Sequence, residues 1–203
     1  RLDMAKAAGD VRADLLLGHA RNATVGTLRT ENTHPFRYRQ WLFAMTGTLP
    51  AFESIRDLLG ASVPQFLRAS IRGETDAETL FYVFLSFLHD AGRRTDAITA
   101  PAHVRDALRS CVAVVDQMAA EVGGEPSRVN LMVSDGEALY ALHRGAEMGF
   151  RTFAGKSEAD ALIGEDLGLR RKTPELSQMY FTLLAADFDD DFSIAASTPG
   201  AHS

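Results

Sequence analysis

The sequence contains little cysteine, no long apolar run and no concentration of basic residues. A single cysteine, Cys111, excludes an internal disulfide. No apolar run approaches the roughly 20 residues that a membrane-spanning helix needs, and the first residues lack the charged-then-apolar order of a signal peptide. The net charge of -6 and the scattered basic residues disfavour a nucleic-acid surface. We therefore expect a cytoplasmic protein with no membrane or nucleic-acid partner.

The length and composition fit one folded domain. The chain has 203 residues, of which 46% are hydrophobic, and this content suffices for one substantial core. No linker rich in proline, glycine or serine divides the chain. We predict a single domain over residues 1–203.

Short apolar runs predict the strands. Residues 14–20 (DLLLGHA) suggest a strand buried on both faces, and residues 41–45 (WLFAM) have the same character. Residues 128–144 form two apolar runs joined by an Asp-Gly pair, which is typical of a hairpin. Residues 174–197 predict two further strands around an acidic loop, although a helix at 174–182 fits nearly as well.

Helical spacing and start signals predict four helices. Residues 50–60 begin with proline and end with glycine, the usual order for a short helix. We expect residues 63–71 to be helical as well. Residues 101–122 carry a one-sided apolar stripe that includes Cys111, so we expect this thiol in the core.

The clearest helix start is the capping box of Thr75 and Glu78. The apolar residues that follow, up to Gly92, cover most of the helix circumference, which indicates a helix buried between layers. Strands flanking two long helices predict an α+β fold with a sheet packed against paired helices.

Polar chemistry is concentrated in three short segments: HARNATVG (19–26), ENTHPF (31–36) and GETDAE (73–78). A site for a zwitterionic amino acid must pair both the carboxylate and the ammonium, because a buried unpaired charge is costly. Arg21 can bind a carboxylate with two parallel hydrogen bonds. Asp76 lies in the first turn of a helix, where the macrodipole favours an ionised acid that binds an ammonium group.

These three segments, the WLFAMTG strand and the later VNLMVSDGEALYALHRG hairpin together resemble the class II glutamine amidotransferases. The similarity is greatest to the stand-alone branch that includes the γ-glutamyl amidohydrolase of ergothioneine biosynthesis, with its patterns H-x-R-x-A-T-x-G, N-T-H-P-F and G-x-T-D-x-E. The resemblance covers most of the chain. It implies an N-terminal-nucleophile hydrolase with an αββα sandwich, here incomplete at the N-terminus and at the C-terminus.

The resemblance also implies roles for individual residues. Arg21, with Thr24 beside it, would bind the substrate α-carboxylate, and Asp76 would bind the α-ammonium. His34 would support the pocket wall. The backbone N–H of Gly47 would form half of an oxyanion hole. The implied substrate is glutamine or a γ-glutamyl compound, with no cofactor and no metal.

The sequence departs from the family pattern at two points. Thr46 stands where the family has asparagine beside the oxyanion glycine, and loss of such a donor typically costs about a hundredfold to a thousandfold in rate. The family nucleophile is an N-terminal cysteine, but position 1 is Arg1 and Cys111 lies within a helix. We expect the nucleophile to precede Arg1, and the chain as given to be inactive.

Two functions remain open at this point. One is an amidohydrolase, acting alone or feeding ammonia to a partner enzyme that accepts it. The alternative is a non-catalytic descendant whose pocket binds an amino acid or a partner, as Thr46 suggests. A zinc site formed by His19, His34 and Asp76 matches no familiar ligand spacing. The aspartates in 187–191 lack the pattern of a calcium loop and suggest a solvated turn.

Overall fold

The computed structural model describes residues 13–19, 25–27, 29–90, 99–144, 147–158, 178 and 180–186. The chain divides into two compact units, Arg1–Gly145 and Ala146–Ser203. Helices and strands both occur, so the predicted mixture of helix and sheet is confirmed. The single domain over 1–203 stays a prediction. Within the described residues, none of the helices is long and apolar enough to cross a bilayer.

An antiparallel sheet of four strands, in the order β1-β2-β3-β4, organises the first unit. The strands are β1 (Phe36–Tyr38), β2 (Trp41–Thr46), β3 (Val129–Ser134) and β4 (Leu139–Arg144). The predicted strand at 41–45 and the predicted hairpin at 128–144 are confirmed. The hairpin turn contains Gly136 with φ +95, a backbone conformation that favours glycine over other residues.

In the part of the first unit that the structure describes, four α-helices accompany the sheet: α1 (Phe52–Ser62), α2 (Gln65–Arg68), α3 (Asp76–Asp90) and α4 (Pro101–Glu121). In α3, 12 of 15 residues are buried, which confirms the helix predicted from its apolar circumference. In α4 most of the predicted stripe is buried, including Cys111, but Met118 is only partly buried, and Val122 lies just past the helix end and is exposed. Burial of the two long helices therefore follows their apolar patterns.

The core of the first unit lies between one face of the sheet and the helices. Trp41 on β2 meets Phe84 of α3 edge-on, with ring centroids 5.5 Å apart. Phe43, two residues along the same strand, stacks on Phe81 at 5.2 Å. Because alternate strand residues share a face, β2 directs both rings to α3. This packing fixes the sheet against the helix that begins with Asp76.

Three expected element bounds were wrong. Residues 13–19 form no strand among the described residues, and Leu16 is 66% exposed, because alternate residues of this run face outward rather than into layers on both sides. The helix predicted at 50–60 begins at Phe52, since Ala51 has φ +50 and cannot continue a right-handed helix, and it ends at Ser62. The helix predicted at 63–71 is only Gln65–Arg68.

The second unit contains a two-stranded antiparallel sheet of β5 (Met148–Ala154) and β6 (Tyr180–Ala186). Strand β6 confirms the first of the two strands predicted in 174–197, and the alternative helix at 174–182 is wrong where it overlaps β6. The acidic loop at 187–191 and the second predicted strand lie outside the described residues. We did not predict β5.

Candidate functional site

The three polar segments of the sequence meet in the folded chain. The rings of His19 and His34 are in contact, with centroids 4.2 Å apart. Thr27, just after the first segment, donates from both its backbone N and its Oγ1 to Glu74 Oε1, each at 2.9 Å. Asn32 of the second segment accepts a hydrogen bond from the backbone N of Glu74 at 3.0 Å. The ring contact therefore joins the first two segments, and the hydrogen bonds connect this region to the third segment, more than 40 residues further along the sequence.

His34 lies two residues before β1, so the start of this edge strand positions its side chain. Its ring lies between those of His19 and Phe36, with a centroid distance of 4.6 Å to Phe36. Both ring nitrogens of His34 are shielded from solvent. The ring thus packs within a small aromatic cluster beside the sheet, and its role as a pocket wall stays a prediction.

Asp76 is the first residue of α3 and is only 5% exposed. Its Oδ1 accepts a hydrogen bond from the backbone N of Ala77 at 2.9 Å, and its Oδ2 accepts one from the backbone N of Leu49 at 2.8 Å. Leu49 belongs to the loop that follows β2, two residues after Gly47. The carboxylate therefore ties the start of α3 to the loop that carries the predicted oxyanion glycine.

Gly47 follows β2 directly and has φ +93, a conformation that residues with a side chain rarely adopt. A Cβ at this position would collide with the backbone carbonyl oxygen of Arg128 and would lie 3.2 Å from the Cα of Val129. The chain thus passes so close to the start of β3 that only glycine fits. This close approach holds the backbone of Gly47 in one place.

Thr46 lies on the sheet face opposite the core. Its Oγ1 is shielded from solvent and has no hydrogen-bond partner among the described residues. The strand register aligns Thr46 with Asn130 on β3, and Asn130 with His143 on β4. Because directly opposed residues share a face of the sheet, these three polar side chains form a row beside Gly47. Neither Asn130 nor His143 was predicted as a site residue, because the strand alternation was the only signal for them.

Of the capping box predicted at the start of α3, the structure shows the hydrogen bond to Thr75 but different partners for Glu78. Thr75 Oγ1 accepts a hydrogen bond from the backbone N of Glu78 at 3.2 Å, which confirms the cap. The Glu78 carboxylate, however, accepts hydrogen bonds from the backbone N atoms of Arg72 and Gly73, at 3.0 and 2.6 Å. Burial raises the pKa of Glu78 above its ordinary value, against the lowering effect of these two bonds. Glu78 therefore shapes the loop that enters α3.

A family model described as Glutamine amidotransferases class-II matches residues 3–174 of the chain. The chain belongs to the class II glutamine amidotransferases. The family resemblance noted from the sequence motifs is thereby confirmed.

One curated relative of this class II glutamine amidotransferase chain is the probable glutamine amidotransferase DUG3 of Saccharomyces cerevisiae, which is 30% identical over 137 residues. That match covers 63% of the chain and 38% of the relative, so the chain spans well under half of the relative's length. Among solved structures, a glutamine aminotransferase class-II domain protein from Silicibacter pomeroyi is 25% identical with a TM-score of 0.48. The structural match covers 61% of this chain and 55% of the Silicibacter pomeroyi chain.

Some predicted site residues of this amidotransferase chain lie outside the described residues. Arg21 and Thr24 are among them, so their roles stay predictions. Cys111 is confirmed as a core residue: it is fully buried in α4, its Sγ donates to the carbonyl of Leu108 at 3.1 Å, and burial raises its pKa to about 12. Such a thiol stays protonated at neutral pH and is a poor nucleophile. Among the described residues, no group of three or more His, Cys, Asp or Glu is placed to hold a metal ion.

Glu74 was not predicted as a residue of the candidate site. Its pKa is lowered by the hydrogen bonds from the Thr27 backbone and hydroxyl, then by the Asn32 amide. Its own carbonyl accepts a hydrogen bond from the guanidinium of Arg56 on α1. No local sequence pattern predicts these hydrogen-bond partners of Glu74, because they come from distant parts of the sequence.

Proposed function

We propose that the protein is an amidohydrolase of the glutamine amidotransferase type, which cleaves the side-chain amide of glutamine or of a γ-glutamyl compound. The observation that carries this proposal is the hydrogen bond from Leu49 to Asp76. It links the acid proposed for the substrate ammonium to the loop whose glycine is proposed for the oxyanion hole. Family membership supports a glutamine-type substrate.

Amino-acid recognition follows from charge pairing. Asp76 is oriented by two backbone N–H groups at the start of α3, where the helix dipole favours its ionised form. We assign it to the substrate ammonium. We assign Arg21, with Thr24, to the carboxylate, because a guanidinium matches a carboxylate with two parallel hydrogen bonds. His34 would contribute a wall of the pocket through its ring packing.

Stabilisation of the tetrahedral intermediate is assigned to the end of β2. The backbone N–H of Gly47, held by its close approach to β3, would donate to the negative oxygen that forms on the attacked carbonyl. Thr46 is the proposed second donor, because a hydroxyl can donate one hydrogen bond. Its shielded Oγ1 must turn to do so, and we therefore expect a weaker oxyanion hole than an asparagine would provide.

The proposed nucleophile is an N-terminal cysteine that is not part of this sequence, with its own α-amino group as base. The buried and protonated state of Cys111 supports this choice, since it removes the one thiol of the chain from consideration. We further propose a single domain with the αββα sandwich of N-terminal-nucleophile hydrolases and a cytoplasmic location. The sheet in the first unit, with helices packed on one face, supports that architecture. An ammonia-accepting partner enzyme fits the same chemistry.

A second candidate function is binding without hydrolysis. The shielded Oγ1 of Thr46 favours it, because a hydroxyl that solvent does not reach makes no contact with a substrate in the same conformation. In that case the pocket would bind glutamine through Arg21 and Asp76 but release no ammonia. The two candidates differ in turnover and share the binding site.

The test is a glutaminase assay on the protein expressed from the natural start codon of its gene. We expect ammonia release from glutamine or a γ-glutamyl amide, and a KM that rises at least about tenfold in Asp76→Asn because an ion pair is lost. Asp106→Asn is the matched control, since Asp106 is an exposed acid of α4 whose ion-pair partner among the described residues is Arg109. If the wild type releases no ammonia while Thr46→Asn does, the hydrolase proposal for the natural sequence is refuted. Binding of glutamine by that inactive wild type in calorimetry would then identify the second candidate.

A further inference from the structure

Asn32 is the polar side chain at which two of the site segments meet. It is 1% exposed, and its Nδ2 donates to the carbonyl of Thr27 at 2.8 Å and to Glu74 Oε1 at 3.4 Å. Its Oδ1 accepts a hydrogen bond from the backbone N of Glu74 at 3.0 Å. One buried amide thus bonds to the backbones of residues 27 and 74, which are 47 positions apart.

Two glycines give Asn32 the space for these bonds. A Cβ on Gly26 would lie 3.0 Å from Asn32 Nδ2, and a Cβ on Gly73 would collide with Asn32 Oδ1. Gly26 also has φ +75, which a residue with a side chain rarely adopts. The backbone at Gly26 and the backbone at Gly73 therefore lie closer to the Asn32 amide than a residue with a Cβ would allow.

Glu74 makes the reciprocal connection. Its carboxylate accepts hydrogen bonds from the backbone N and the hydroxyl of Thr27, while its own backbone N donates to Asn32. Bonds to an ionised carboxylate are stronger than bonds between neutral groups. Asn32 and Glu74 together fix the separation of residues 25–27 and 73–75.

We propose that Asn32 and Glu74 are a positioning pair that sets the distance between the two halves of the amino-acid binding site. Residues 25–27 follow the predicted carboxylate-binding residues Arg21 and Thr24 directly in sequence, and residues 73–75 lead directly into Asp76. This inference rests on the proposed function. The buried amide of Asn32 bonds to the protein itself, so the pair acts through the residues that it places.

A positioning role predicts a defined kinetic effect. A zwitterion must reach both of its charge partners at once, so a shift of about 1 Å between the two segments weakens binding of the substrate and of the transition state alike. Loss of such uniform binding raises KM and leaves kcat nearly unchanged. A purely structural role would lower the thermal midpoint and the amount of active protein, and would leave KM unchanged.

The experiment measures glutamine KM, kcat and thermal midpoint for the protein expressed from its natural start codon and for Asn32→Ala, Glu74→Ala and Glu74→Gln. We expect Asn32→Ala and Glu74→Ala to raise KM at least about tenfold with kcat within about threefold of wild type. Glu74→Gln keeps an acceptor oxygen for Thr27 and should restore most of the wild-type KM.

The matched control is Arg68→Ala. This change removes three hydrogen bonds from the Arg68 side chain on α2, one to the carbonyl of Ala61 near the end of α1 and two to the carbonyl of Val63 just after α1. This variant should lose stability without a change in KM. An unchanged KM in Asn32→Ala, or a failure of Glu74→Gln to restore KM, overturns the positioning pair while the proposed function stands. A wild type that neither hydrolyses nor binds glutamine overturns both.

Discussion

Replacing Gly47 by alanine probes the close approach between the end of β2 and the start of β3. Gly47 has φ +93, and an added Cβ would collide with the carbonyl oxygen of Arg128. That oxygen belongs to the backbone, which cannot rotate away as the end of a flexible side chain can. Gly136 offers a matched comparison, because its φ is +95 and no atom of the described chain lies within 4 Å of its added Cβ.

The comparison separates two costs. Gly136→Ala carries only the cost of a left-handed backbone for an L-residue, about 1–2 kcal/mol. Gly47→Ala carries that cost and adds an overpacking cost of about 1–3 kcal/mol, because the strands must shift apart. We therefore expect Gly47→Ala to lose about 2–5 kcal/mol of unfolding free energy, the larger loss of the two.

Urea unfolding followed by tryptophan fluorescence measures both losses. Trp41 is the one tryptophan in the sequence, and it is fully buried in the first unit, so the signal reports this unit. The thermal midpoint should fall by about 2–4 °C for each kcal/mol lost in a chain of this size. Equal losses in Gly47→Ala and Gly136→Ala would refute the close approach to Arg128, and with it the proposal that this contact holds the glycine assigned to the oxyanion hole.

Three further predictions follow from individual side chains. Asp76→Asn should lose about 1–3 kcal/mol of unfolding free energy, because Leu49 and Ala77 donate to different carboxylate oxygens and the amide puts an NH2 donor in place of one of them; urea unfolding beside Asp106→Asn checks this. Cys111 should resist thiol reagents between pH 7 and 9 and react only on unfolding, since burial raises its pKa to about 12; fast labelling of the native chain would contradict this. The pKa of Glu78 is raised above 4.5 in the folded state, so its contribution to stability is fully present below pH 4.5 and is lost as the pH rises through the raised pKa. The stability of wild type relative to Glu78→Gln should therefore fall over that window, and a difference that rises with pH would show the opposite shift.

Local sequence patterns predicted those helices and strands whose signals lie within the element itself. The apolar circumference of α3 and the stripe of α4 determine burial by themselves, and the Asp-Gly pair specifies a hairpin turn wherever it lies. The run at 14–20 failed because apolar composition does not show which neighbours will cover a segment. The start of α1 was missed because the left-handed φ of Ala51 has no residue signal; the proline before it suggested an earlier start.

The candidate site shows the same limit. Asp76 and Gly47 were predicted from chemistry and resemblance, and the hydrogen bond from Leu49 to Asp76 brings their segments together. Asn32 and Glu74 were not predicted, because their hydrogen bonds join positions more than 40 residues apart. Spacing within a motif carries no information about such partners.

In the GETDAE segment, side chains with a structural role lie next to Asp76, the acid that we propose for substrate binding. Glu74 accepts from Thr27, Thr75 caps α3, Asp76 accepts from Leu49, and the carboxylate of Glu78 accepts from the loop before the helix. All four side chains therefore accept hydrogen bonds from backbone N–H groups. A loss of activity on substitution here does not by itself assign a residue to the substrate. What distinguishes Asp76 in our proposal is that its substitution should raise KM more than an equally destabilising change at Thr75.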